Sequence, residues 1–293
     1  MPVACAANVA AWTNPSLAKL KGKYPYWTRK LSLGSLPIAA ERQFQEFFES
    51  SEYTPPARLL VIRAYLDETG HEGKDYVLVC GHAGYRHQWT SFLGEWLDAL
   101  GDQRLRLHMK DLRWKPTTCA LLSKLGPLPS QHGLKRIIGG VKVADYEDLI
   151  VGTKVEKVLK GYIAAMSAAV IPALFATPED ERLEIVFEEQ KEYEMYVGAA
   201  LSAYAKLPDS RFYMRDGKPK LARWSFIPKD RTVLLDQADY LCYAMLQRCR
   251  NESSEKALCC APILGDGTFI GKILSREEAR QTVADTLRVI GRV

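Results

Sequence analysis

Apolar positions along the chain fall into runs of strand length and stripes of helical spacing. RLLVIRAYLDETG (58–70) holds a near-continuous apolar run over 59–66, broken only by Arg63, and then the turn-like DETG. Such a run predicts a central strand covered on both faces. YVLVCGHA (76–83) predicts a second strand, and the short Gly-containing connection predicts an antiparallel hairpin. In RHQWTSFLGEWLDALG (86–101), Trp89, Phe92, Trp96, Leu97 and Leu100 line up on one helical face, and Gly101 stops the helix. LKRIIGGVKVAD (134–145) predicts a third strand. From there the pattern alternates. A helix is predicted over 155–176, a strand over RLEIVFEE (182–189) and a helix over 191–206. A strand over KLARWSFIP (220–228) and a helix over 233–249 follow. The last helix starts at SREE (275–278), where Ser275 and Glu278 have capping-box spacing. Alternation predicts parallel strands joined by helical crossovers, and the early hairpin predicts an antiparallel part. An α/β fold with a mixed β-sheet flanked by helices on both faces satisfies both demands.

The remaining segments divide the chain into three parts. Residues 1–57 read as an N-terminal arm with a short helix, in which Phe44, Phe47 and Phe48 have helical spacing before Pro55-Pro56 ends it. Residues 58–250 form the main domain, and 251–293 read as a loop and helix packing on it. The stretch 102–136 reads as irregular and basic, because Pro116, Pro127 and Pro129 break its regularity. IAAMSAAVIPALFA (163–176) is too short to cross a bilayer and contains Pro172, so it reads as a buried helix, and no membrane partner is expected. The N-terminus lacks the basic region and long apolar core of a signal peptide.

Composition narrows the classes. Lys and Arg number 40 against 35 Asp and Glu, a net charge of +5, which permits a nucleic-acid partner without requiring one. Seven cysteines are an odd count, and none has CxxC spacing. With five histidines, nothing resembles a zinc knuckle. Cys80 and Cys242 lie in apolar runs and read as core residues. The pattern fits a reducing, cytoplasmic setting better than a disulfide framework. No GxxxxGK[ST], HExxH or GxSxG occurs, so P-loop, zincin and α/β-hydrolase chemistry has no support.

Carboxylates are the residues that suggest chemistry. Asp67 ends the first apolar strand, where ligands of open α/β sheets collect; the plainer alternative is a turn Asp bonding to its own backbone. Glu188 and Glu189 end LEIVFEE and point to opposite faces, so only one can join Asp67. Glu188 is the choice, and Glu189 reads as a solvated strand end. Asp239 lies in the apolar helix VLLDQADYLCYAML, where an ionised acid costs free energy unless it is paired with an arginine or binds metal. Asp236, one turn earlier, reads as a helix N-terminal acid. Three convergent acids suit Mg²⁺ or Mn²⁺, which take few hard oxygen ligands and leave room for water and phosphate. Two such ions about 4 Å apart serve phosphodiester cleavage. In LHMKDL (107–112), His108 and Lys110 suit proton transfer and phosphate contact, or else are ordinary loop residues. In 209–231, Phe212, Tyr213, Trp224 and Phe226 interleave with cations, which suits a nucleic-acid backbone and its bases; a solvated loop before a strand is the simpler reading.

At these residues the chain resembles the DUF3800 proteins, an uncharacterised family with an RNase H-like fold. Tyr65-Leu66-Asp67-Glu68-Thr69-Gly70 resembles the family's opening Y-[IL]-D-E-S-G-like strand end, with Thr in place of Ser. Trp89 and Trp96 match a helix with paired tryptophans, LHMKDL resembles its His-containing segment, and Gln237-Ala238-Asp239 matches its Q-x-A-D-like helix. The likeness spans about residues 58–250. It implies a metal-dependent nuclease or related enzyme, with Asp67, Glu188 and Asp239 binding a divalent cation, Glu68 assisting, and His108 and Lys110 near the phosphate. Where the family often has Asp at the middle strand, this chain has Glu188-Glu189, a longer side chain that alters the expected metal site. A catalytically silent nucleic-acid- or protein-binding module is the other reading.

Overall fold

The computed structural model describes residues 61–69, 75–101, 107–153, 156, 160–228 and 231–290. The predicted arm and its short helix lie outside the described residues. Six strands form one mixed sheet: β1 (Val61–Thr69), β2 (Tyr76–Tyr85), β3 (Lys135–Lys142), β4 (Arg182–Glu188), β5 (Leu221–Ile227) and β6 (Ile270–Leu274). Their order is β5-β4-β1-β2-β3-β6. β1–β2 and β2–β3 are antiparallel, whereas β1–β4, β4–β5 and β3–β6 are parallel. The predicted mixed α/β architecture is therefore present, with β1 inside the sheet, as its near-continuous apolar run predicted.

Nine α-helical segments are described. They are α1 (Arg86–Leu100), α2 (Pro116–Leu125), α3 (Leu128–Gln131), α4 (Val143–Ile150), α5 (Gly161–Ala176), α6 (Glu194–Tyr204), α7 (Asp236–Asn251), α8 (Glu255–Cys260) and α9 (Arg276–Ile290). Strand alternation splits the core in two. Ile62, Ala64 and Leu66 face α5 and its neighbours, whereas Tyr65, Leu78 and Cys80 face α1 and α7. On α1, Trp89, Phe92 and Trp96 are buried as the spacing predicted, and Trp89 Nε1 donates to Arg63 O at 2.9 Å. Helix α5 is buried nearly all round and seats directly on β3. Gly139 allows this approach, because a Cβ there would meet Ala165 O at 2.0 Å.

Three expectations need correction. The 102–136 stretch is not irregular throughout: α2 begins at Pro116, whose missing N–H suits a first helical turn. Residues 251–293 are not only a loop and helix, since β6 extends the sheet beside β3. The cysteines are not all free. Cys119 and Cys259 form a disulfide joining α2 to α8, while Cys80, Cys242, Cys249 and Cys260 remain thiols. Among the described residues, no helix is long and apolar enough to cross a membrane.

Candidate active site at the ends of β1 and β4

Parallel pairing of β1 with β4 runs from Val61↔Arg182 to Leu66↔Phe187. The next residue on each strand is an acid, Asp67 on β1 and Glu188 on β4. Both side chains belong to the face covered by α7, the face of their strand neighbours Tyr65 and Val186. These are the carboxyl ends of adjacent parallel strands, where α/β sheets open a ligand crevice. Asp67 is 3% exposed, and its Oδ1 accepts the Glu68 N–H at 2.8 Å. That bond is the local Asp-backbone contact of the plainer reading. Glu68 is sent by alternation to the opposite face, that of α5, which separates it from Glu188.

Helix α7 lies across β1 and β2. Cys242 Sγ donates to Asp67 O at 3.1 Å. Burial pushes the Cys242 thiol far up, and the nearby Cys80, Asp67 and Glu68 push the same way, so it stays protonated and does not act as a nucleophile. One turn earlier, Gln237 Oε1 accepts from Nδ1 of the fully buried His82. Burial lowers the His82 pKa to about 3, so this imidazole is neutral.

Asp236 lies in the first turn of α7, as its position in the sequence suggested, and both it and Asp239 accept from backbone amides. Asp239 Oδ2 accepts the Met109 N–H at 2.9 Å, and Asp236 Oδ2 accepts the Leu107 N–H at 3.0 Å. The first turn of α7 thus grips the backbone of the LHMKDL segment, and buried Leu107 and Met109 anchor it. Between these anchors His108 projects, half-buried, with Nδ1 2.8 Å from Asp111 Oδ2, and Lys110 is exposed. A carboxylate only accepts, so Nδ1 carries the proton and Nε2 is the basic nitrogen. The structure thus puts Asp67 and Glu188 one residue past the last β1–β4 pair, and joins Asp239 to the His108–Lys110 turn. Among the described residues, no group of three or more His, Cys, Asp or Glu side chains is arranged to hold a metal ion. The pair Asp67–Glu188 suits Mg²⁺ or Mn²⁺ in the sparse form these ions use, one or two carboxylates with water and phosphate completing the shell.

Of the aromatics in 209–231, Tyr213, Trp224 and Phe226 are half-buried. Phe212 is buried, and Trp224 and Phe226 pack into the core beneath α5 and α6. Sequence reasoning missed an ion cluster at the other end of this face, where Arg63 and Arg223 flank Glu184 at 2.5 and 3.0 Å. Arg63 inside an apolar run was its only trace. No family model, curated protein or solved structure matches the chain.

Proposed function

We propose that this chain is a metal-dependent phosphodiester-cleaving enzyme acting on nucleic acid, with the RNase H-like fold that the DUF3800 resemblance implies. One observation supports the reading: the parallel β1–β4 register ends at Leu66↔Phe187, so the next residue on each strand is an acid, Asp67 and Glu188. A central strand with an antiparallel meander on one side and parallel crossover strands on the other supports the fold assignment. A bound divalent cation would polarise a phosphate oxygen and make its water a stronger nucleophile. The protein's own residues do the rest. Asp67 and Glu188 hold two acids on rigid strands. Asp236 and Asp239 fix the turn that carries His108, whose Nε2 exchanges a proton with water or the leaving oxygen. Lys110 meets a flanking phosphate as a mobile point charge.

The test is an assay on labelled single strands, duplexes and hybrids of DNA and RNA with Mg²⁺ or Mn²⁺. Wild type cleaves at least one substrate. Asp67→Asn and Glu188→Gln lose cleavage while keeping the wild-type melting temperature. Cleavage that survives both changes, or its absence on every substrate, overturns the proposal.

One observation favours a second reading, a catalytically silent binding module. Asp236 and Asp239 each commit a carboxylate oxygen to a backbone amide. Calorimetric titration separates the two: millimolar Mg²⁺ that gives neither heat nor a melting shift favours the silent module.

A further inference from the structure

A cavity of about 340 Å³ opens at the same end of the sheet, on the opposite face, between α4 and the start of α5. Its walls include Tyr146, Tyr162 and Tyr193, all nearly buried. Tyr162 and Tyr193 stack with ring centroids 4.7 Å apart, and Lys160 Nζ sits 5.5 Å over the Tyr193 ring. Exposed Glu147 and Glu156 stand at the rim. The volume lies at the small end of ordinary ligand sites, enough for a base with its sugar.

Charge selects the class of ligand. Lys160 already pairs with Glu192 at 3.0 Å, so the rim carboxylates dominate and an anionic head group is disfavoured. Aromatic walls suit a planar ring, and carboxylates accept from exocyclic amino groups such as that of cytosine. Position ties the cavity to the acids: the Tyr162 phenol lies within electrostatic reach of Glu68 and Asp67.

We propose that this cavity is a nucleobase subsite, receiving an amino-bearing base unstacked from a single strand whose backbone crosses the ends of β1 and β4. The strand's course rests on the nucleic-acid reading above. The base-binding chemistry rests on the cavity itself. An extruded base held among aromatic rings is a recurrent solution in enzymes and binding proteins that act on single strands.

The probe is a single-stranded oligonucleotide carrying 2-aminopurine, titrated in EDTA so that binding is read without cleavage, beside an otherwise identical abasic strand and free 2-aminopurine riboside. Saturable quenching of the 2-aminopurine strand is expected, with the unlabelled abasic strand competing for it only weakly. Val151 lines the cavity and is 66% exposed, so Val151→Trp plugs the mouth without disturbing the core. It should weaken binding about tenfold, the worth of one stacked base. Glu147→Lys should weaken it in the same direction, with the melting temperature unchanged in both. Quenching that is absent, equal in both variants and wild type, or confined to the free riboside overturns the proposal. Quenching by a chain that cleaves nothing in Mg²⁺ sustains the subsite while the catalytic reading falls, and cleavage without quenching does the reverse.

Discussion

Two buried ionisable groups pull stability in opposite directions with pH. Glu181 is 5% exposed, and both its carboxylate oxygens accept from Tyr85 Oη, at 3.0 and 2.8 Å. Burial pushes its pKa up to about 7 and Asp180 adds to this, while the Tyr85 hydroxyl pulls it down. The folded chain therefore keeps a proton that the unfolded chain has lost between its ordinary value of 4.5 and about 7. Stability from this site is full in acid and drains away as pH rises through that window. His82 does the opposite: its folded pKa of about 3 lies below the ordinary 6.5, so its site loses stability as pH falls between these values. Glu181→Gln should flatten the decline in melting temperature on the alkaline side of about pH 5 and leave the acid limb intact. A variant whose profile overlays the wild type would refute this. At this scale the sequence showed Asp67, because an acid closing an apolar strand stands out. It did not show that His82 meets Gln237, a contact that spans 155 positions. Nor did it show Asp239 serving a loop backbone, because an acid on an apolar helix reads the same whether it meets metal or an amide.

Elements were legible where periodicity was long, and illegible where they were short or capped by unusual residues. β1, β2, α1, β3, β4 and α7 follow the apolar pattern within a few residues. The capping box at Ser275 is also real: Ser275 N donates to Glu278 Oε2 at 2.9 Å and Glu278 N to Ser275 Oγ at 3.3 Å. Prolines misled, because a helix start and a helix breaker carry the same residue, and α2 starts at one. The five-residue β6 carries too few positions to declare an alternation. The α2–α8 disulfide was invisible because its cysteines lie 140 positions apart. A loop of that length gives the cross-link a chain-entropy value on the order of 5 kcal/mol, and measured bridges commonly contribute about 2–4 kcal/mol. Reduction, or Cys119→Ser, should lower the melting temperature by several degrees. An unchanged melting temperature under full reduction would show that α2 and α8 are held by packing alone.

At the scale of the whole molecule, the sheet decides what can be removed. β6 covers β3 on the side away from β2 and links to α9 through Lys272 and Glu278. A chain ending before Ile270 would leave β3 as an open edge with apolar Ile137, Ile138 and Val141 beside it. Such a truncation should raise light scattering and lower soluble yield relative to full length, and equal solubility would show that β3 tolerates exposure. The fold class was readable because burial on both faces of a parallel strand leaves a strong mark. The positions of Asp67 and Glu188 near the ends of β1 and β4 were readable because each acid follows an apolar run. The tyrosine cavity was not, because its walls come from segments whose rings look like ordinary core.

The pairing of β3 with β6 also orders events in time. A nascent chain leaving the ribosome presents β1, β2 and β3 before β6, since β4 and β5 lie between them in the chain. Until β6 emerges, the β3 side of the meander is an edge with no strand to take up its backbone hydrogen bonds.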